Sequence, residues 1–314
     1  MGHRVRSEVV DEINGSDELS EDGFTTLRIQ PLARPSDMNP PMMDADGDIH
    51  VARKRMKAAV SEIALRVQRD CFSNKSGVQV WRAAFLLVDF ALHHASVFAD
   101  ETILELGCGI GFVSLVLSGV AKLVLATDHN VDALALAEDN LRWNLHGPCR
   151  LRRLDWTRRA LLPPEEPFGW SNRDRTALER ARFVLASDVF YDDDVAVAFL
   201  AKLTELLLEN ASRTAIIATE KRAVFSAATL SVAHLGYDVF EARICRHVPL
   251  TSLSLTEPHR TRYTCEQCLA KEAKPFLAAT PLPTHEVPQA FAYDRQEMLE
   301  LWFIHGLVNA HDAA

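Results

Sequence analysis

The stretch Thr102 to Leu115, TILELGCGIGFVSL, limits the folds open to this chain more than any other. It starts as a short apolar run, in which Ile103, Leu104 and Leu106 suit a strand buried on both faces. It then places glycines at 107, 109 and 111, where backbone can turn tightly and lie bare against a ligand. Phe112, Val113, Leu115 and Val116 resume at helical spacing. A strand, a glycine loop and a helix in that order aim the free N–H groups of the helix N-terminus at whatever lies above the loop.

The glycine spacing narrows the ligand. A dinucleotide loop reads G-x-G-x-x-G, and here the third glycine comes one place early; a Walker phosphate loop ends in Gly-Lys-Ser/Thr, which this stretch lacks. What remains is acid-x-Gly-x-Gly-x-Gly, Glu105 to Gly111. The next apolar run, 123–127, closes on Asp128, where a carboxylate accepts hydrogen bonds from both hydroxyls of a ribose. This arrangement resembles the first motif of the seven-strand S-adenosylmethionine-dependent methyltransferases.

The chain around it alternates strand and helix. After a half-buried strand at 63–67, Val80, Trp81, Ala84, Leu87, Val88 and Ala91 mark a helix. Strands follow at about 102–106, 122–127, 150–154, 182–187 and 213–219, with helices at about 112–119, 131–145, 193–208 and 221–235. Such alternation gives an α/β fold, a Rossmann-like, mostly parallel sheet with helices on both faces. Ligands then bind at the carboxyl ends of the strands, where the motifs converge. Residues 163–180 read as a polar surface insert, Tyr237 to Leu250 as a long strand, 251–290 as a loop insert and Met298 to Ile304 as a last strand. A C-terminal hairpin with one antiparallel strand is expected from the last two strands.

Composition sets the limits. A chain of 314 residues, 48% hydrophobic, buries a sizeable core. No apolar run reaches the roughly 18 residues of a membrane helix, and the N-terminus has no apolar signal region, so neither membrane insertion nor secretion is expected. Six cysteines in this length are no disulfide framework and suit a reducing compartment. Residues 1–50 hold eleven acids against four arginines, so most of the net charge of −9 sits there. The folded part is close to neutral, which argues against direct nucleic-acid binding. Residues 1–55 read as an acidic, largely disordered tail, although Leu27 to Ile29 could form a short strand. A domain over 56–310 follows. Arg53-Lys54-Arg55-Met56-Lys57 reads either as a nuclear import signal or as a solvated basic segment. Cys265-x-x-Cys268 is a lone pair, and a zinc site needs two more ligands, so no metal is expected.

Four segments carry a closer resemblance: Val80-Trp81-Arg82-Ala83-Ala84, the Glu105–Gly111 loop, Leu154-Asp155-Trp156, and Ser187-Asp188-Val189-Phe190-Tyr191. They resemble the lysine-methylating group of the methyltransferase-like proteins, methyltransferase family 16. The resemblance covers about residues 60–305 apart from the insert. It implies S-adenosyl-L-methionine as cofactor and a protein lysine side chain as acceptor. It further implies that Glu105, Gly107, Cys108, Gly109 and Gly111 form the cofactor loop and Asp128 holds the ribose. Trp156 would pack on the adenine, with Asp155 near its exocyclic amine. Trp81 and Ser187 complete the cofactor contacts. Trp81 and Trp156 also suit plain core packing.

Asp188 and Tyr191 match the family's acid-x-x-aromatic motif. A lysine attacks only as the neutral amine, and Asp188 could orient it while the Tyr191 ring lines its channel. The alternative for Asp188 is a cap on the helix that starts near Asp193, which Asp192 can supply as well, and the motif context favours the functional role. Glu220, after the fifth strand, reads as an acidic pocket wall or as an N-cap. The Asn/Asp-Pro-Pro-Tyr/Phe motif of methyltransferases acting on adenine or glutamine is missing. The string SDVFYDDD, Ser187 to Asp194, followed by Thr219-Glu220-Lys221-Arg222 and Leu299-Glu300-Leu301-Trp302, narrows the resemblance to one subgroup, which implies trimethylation of a nuclear, nucleic-acid-associated protein; a monomer in the nucleus or cytoplasm is expected. Another side chain, a small molecule, or a non-catalytic cofactor-binding module are the alternatives.

Overall fold

The computed structural model describes residues 4–5, 24–32, 62–68, 71–72, 77–144, 147–210, 212–226, 231–246 and 277–306. The N-terminal strands pair antiparallel: β1 (Arg4–Val5) with β4 (Cys71–Phe72), and β2 (Phe24–Ile29) with β3 (Ile63–Gln68). Thus β2 lies inside the stretch read as a tail. Its alternation explains why: Thr25, Leu27 and Ile29 share a buried face.

Next come helices α1 (Arg82–His93) and α2 (Ala95–Phe98), then β5 (Thr102–Leu106), α3 (Phe112–Ser118), β6 (Leu123–Asp128), α4 (Val131–Trp143) and β7 (Cys149–Arg153). After α5 (Asn172–Arg180), β8 (Phe183–Ser187), α6 (Asp193–Glu209) and β9 (Thr214–Glu220) complete the parallel strands. Then follow β10 (Val224–Ser226), β11 (Ser231–Ala233), α7 (Tyr237–Arg243), β12 (Ile244–Cys245), β13 (Leu277–Leu282) and β14 (Leu299–Gly306).

The main sheet runs β12-β13-β14-β9-β8-β5-β6-β7. Strands β5 to β9 are parallel, and β14 is antiparallel to both β9 and β13. The expected seven strands are present, with the two-residue β12 added at one edge. Each face has its own core. Ile103, Val124, Phe183 and Ile216 pack with α1, α3 and α4. Leu104, Leu125, Val184 and Ile217 pack with α6 and α7. Alternate residues of one strand feed opposite cores, which is why these strands read as unbroken apolar runs.

Four expectations need correction. Residues 163–180 are not all surface insert, because α5 starts from a capping box in which Ser171 and Asp174 bond each other's backbone N–H groups. Where a helix was expected over 221–235, β10 and β11 pair antiparallel; short apolar runs fit either period. Where a long strand was expected from Tyr237, α7 forms: Tyr237 and Phe240 bury together at i,i+3 spacing. Within the expected loop, β13 supplies the antiparallel partner of β14. The basic run at 53–57 and the pair Cys265/Cys268 lie outside the described residues.

Two anchors set the site. The edge of β3 meets α4, where Asn140 and Asn144 stand one turn apart. Asn140 accepts from Arg66 N at 2.7 Å and donates to Arg66 O at 3.2 Å. Asn144 accepts from Ala64 N at 3.1 Å and donates to Ala64 O at 2.9 Å. Side-chain amides thereby take the place of a neighbouring strand. Asp89 on α1 accepts from Ala290 N at 2.7 Å and the Tyr293 hydroxyl at 2.9 Å, and pairs with Arg295. This fixes α1, whose N-terminus presents Trp81 and Arg82.

Candidate active site

The glycine loop leaves β5 and enters α3. Gly107 N and Cys108 N both donate to Thr127 O, at 2.8 and 2.9 Å, so the loop is hung from the end of β6. Gly107, Gly109 and Gly111 have φ of 75°, 51° and 83°, a left-handed region that costs other residues about 1–2 kcal/mol. A Cβ at Gly109 would stand 2.8 Å from Gly77 O, so that position admits only glycine. Asp128 Oδ2 accepts from Gly109 N at 3.0 Å and Oδ1 from Asn130 N at 2.9 Å.

Beneath the loop, Glu105 is 1% exposed and accepts a hydrogen bond from the Ser114 hydroxyl. Burial pushes its carboxyl up to about 7, against the pull of that bond and aided by nearby Asp128. Burial also raises the Cys108 thiol well above its ordinary range, with Asp128 and Glu105 adding to the shift, so it packs as a neutral group.

A cavity of about 600 Å³ opens over the carboxyl ends of β5, β6 and β8. Of the residues singled out from the sequence, Trp81, Gly107, Cys108, Gly109, Asp128, Trp156, Ser187, Asp188 and Tyr191 line it. Glu105, Gly111 and Asp155 do not. Glu105 lies below the loop. Gly111 is the N-cap of α3, with its Cα beside Ala137. The Asp155 carboxylate accepts from Thr157 N at 2.9 Å and from its hydroxyl at 2.6 Å, and pairs with Arg158 at 3.3 Å.

The opposite wall is acidic and aromatic. Asp188 follows β8 with φ of 55°, a left-handed conformation that Asp tolerates better than most residues. Its N–H donates to Ala218 O at 2.9 Å, which holds it at the top of β9. It does not cap α6, since Asp192 accepts from Val195 N at 3.0 Å in that role. Burial raises the Asp188 carboxyl, opposed by Arg222 and aided by Glu220. The Asp188 carboxylate pairs with Arg222, a residue the sequence reading quoted only as part of a motif and gave no role, although it lines the cavity. The Arg222 guanidinium stands 4.5 Å over the Trp81 ring. Glu220 is no N-cap, since β10 follows it, and it lies 3.3 Å from Arg222 and 3.5 Å from Arg82. Tyr191 forms the outer rim, 39% exposed.

The residues fit S-adenosylmethionine. The cavity volume lies within the range of pockets that bury such a ligand. Trp156 packs against Gly107, which has no side chain to keep it away. The buried Trp156 Nε1 has no hydrogen-bond partner among the described residues, and leaving such a donor unpaired costs about 1–3 kcal/mol. An acceptor on a bound adenine or ribose removes that cost.

A family model described as lysine methyltransferase matches residues 60–232. Methyltransferase-like protein 22 of Homo sapiens is 32% identical over 308 residues, 91% of this chain and 70% of that protein. Its namesake in Mus musculus is 35% identical over 238 residues, 73% of this chain but only 55% of that protein. Protein-lysine N-methyltransferase EFM3 of Chaetomium thermophilum is 29% identical over 155 residues, 48% of this chain and 44% of that protein. Because the match runs from β3 into β11 and takes in each residue that lines the cavity, this chain belongs to the lysine methyltransferase family, enzymes that use S-adenosylmethionine to methylate protein lysine.

Proposed function

We infer that the enzyme methylates, up to the trimethyl state, a lysine of a nuclear, nucleic-acid-associated protein, in the nucleus or cytoplasm. The observation behind the lysine chemistry is the position of Asp188: buried, at the cavity wall, and facing the cofactor side from the end of β8. The nuclear target is supported by the subgroup resemblance of Ser187 to Asp194 and by the basic run 53–57.

S-adenosylmethionine, when bound, supplies a methyl group already activated by its sulfonium charge. The chain's own work is to bind, orient and dry the acceptor. Gly107, Gly109, Asp128 and Trp156 would hold the cofactor. An ammonium has no lone pair, so the lysine must lose a proton before attack. Asp188 orients the Nζ of the acceptor, and its raised affinity for a proton lets it take part in that loss. Tyr191 and Trp81 offer ring faces to the alkyl-ammonium, which suits an amine whose charge persists as methyl groups are added.

The test is transfer of labelled methyl from S-adenosylmethionine to protein in a cell lysate, comparing the wild type with Asp188→Asn. One labelled protein band that depends on Asp188 and maps to lysine is expected. Label on another residue type or only in small molecules would overturn the lysine assignment. No transfer, with cofactor binding retained by calorimetry, would mark a non-catalytic module.

A further inference from the structure

We propose that Arg222 gates the acceptor site: its guanidinium takes the place of the incoming lysine ammonium between Trp81 and Asp188, so only a cationic side chain that can replace it gains entry. The proposal rests on the lysine reading above.

Arg222 lies two residues beyond β9 and folds back over the strand ends. Its Nη2 donates to Asp188 Oδ2 and stands 3.3 Å from Glu220 Oε2, while its head group covers the Trp81 ring at 4.5 Å. Two carboxylates and an indole face around one cation are the chemistry that recognises an alkyl-ammonium. The Arg222 side chain is 34% exposed and that of Asp188 is 6%. The guanidinium therefore stands between solvent and the carboxylate the acceptor must reach. His234 Nδ1 lies 3.1 Å from Arg222 O, which ties down the backbone and leaves the long side chain as the part free to swing.

The arrangement also selects. A neutral acceptor that pushed Arg222 aside would leave the buried Asp188 carboxylate without its cation, while Glu220 keeps Arg82 at 3.5 Å, and an unpaired buried charge is an arrangement proteins avoid. A lysine arriving as ammonium restores the balance and is deprotonated afterwards. Arg222 thus favours lysine over amide or neutral imidazole side chains before any chemistry begins.

The experiment uses the full chain labelled with ¹⁵N-arginine, saturated with S-adenosylhomocysteine, with n-butylammonium chloride as the probe. The Arg222 Nε–H signal is assigned by its loss in Arg222→Lys. It is expected to move towards the position of solvent-exposed arginines as n-butylammonium is added, and not with sodium chloride at equal ionic strength. Arg222→Met, which keeps bulk and removes charge, is expected to bind n-butylammonium about tenfold more tightly, because the apparent affinity no longer carries the cost of displacing Arg222. With the lysine acceptor found by methyl labelling, its KM falls by a similar factor. An Arg222 signal unmoved by the amine, or a KM that rises in Arg222→Met, overturns the gate. If Arg222→Met does not fold, displacement in the wild type decides alone. If labelling finds no lysine acceptor, the lysine reading fails, and the amine titration still decides whether Arg222 occupies a cation site.

Discussion

Asp128 Oδ2 accepts the Gly109 N–H at 3.0 Å, so the acid that ends one strand fixes the loop that ends its neighbour. With Oδ1 engaged by Asn130 N and 3.4 Å from His129 Nδ1, the carboxylate is held in place at the cavity wall before any ligand arrives. Asp128→Ala should lower affinity for S-adenosylhomocysteine by about a hundredfold, the loss of charged hydrogen bonds worth about 3 kcal/mol. Calorimetry decides: an affinity within threefold of wild type, with only the melting temperature lowered, would reduce Asp128 to a loop brace.

Trp156→Phe tests what the unpaired indole N–H is for. The phenyl ring removes Nε1, and with it the outer indole carbons Cζ2 and Cη2 that meet Gly107. The free enzyme should melt within a few degrees of wild type, because the lost packing is offset by removal of a buried donor without a partner. Affinity for S-adenosylhomocysteine should fall by roughly tenfold, one lost hydrogen bond. Unchanged affinity would mean that Nε1 meets no ligand atom.

Glu105 gives a pH dependence with a definite sign. In the folded chain it keeps its proton to about pH 7, against 4.5 for the ordinary carboxyl. The folded state therefore holds the extra proton between those values, and stability is lost as pH rises through them. Glu105→Gln removes that loss. Its melting temperature should match wild type near pH 5 and exceed it at pH 8, by a stabilisation of about 2 kcal/mol from a linkage of about 1.4 kcal/mol per unit. A variant less stable than wild type at pH 8 would show that the ionised carboxylate is needed. Asp89, raised to about 6 by burial, adds a slope of its own, so the difference between variants is the quantity to follow.

Asn140 links two parts of the fold. Besides pairing with Arg66, it donates to Ile110 O at 3.1 Å, in the turn that ends the glycine loop. Asn140→Ala leaves these buried groups unpaired and should cost about 3 kcal/mol; Asn144→Ala, partly exposed, should cost about 1 kcal/mol. Thermal melts of both variants test this, and equal costs would deny Asn140 its linking role.

How much of this was legible follows from where the signals lie. Strands β5, β6, β8 and β9 are buried on both faces, so their residues announce them, and Asp128 and Asp188, at the ends of β6 and β8, fall at the cavity by topology alone. Trp81 and Trp156 were found through motif context, because a lone tryptophan reads as core. Arg222 stood in a quoted motif without a role: its partner Asp188 lies 34 residues earlier, and only the fold brings β8 and β9 side by side. The nearest signal was a cation two places after the Glu220 that ends β9. The C-terminal elements were misread because α7 and β12 are too short for periodicity to separate helix from strand. Tyr237 and Phe240 pack in the core on α7 and Ile244 on β12, so a strand with the same residues would have looked alike.

The placement of β14 between β9 and β13 has a consequence for biosynthesis. The strand that completes the sheet interior is made after every parallel strand, so a nascent chain leaves the ribosome with the β9 edge unpaired. Until residues 299–306 emerge, the hydrogen-bonding groups of Ala215 to Glu220 have no partner on that side, and Trp302, Phe303 and Ile304 are missing from the two cores. Folding to the native sheet thus waits for β14, the last strand to be made. A chain that stalls or is cut short before Leu299 presents an open, apolar strand edge to its neighbours, the form most prone to aggregate.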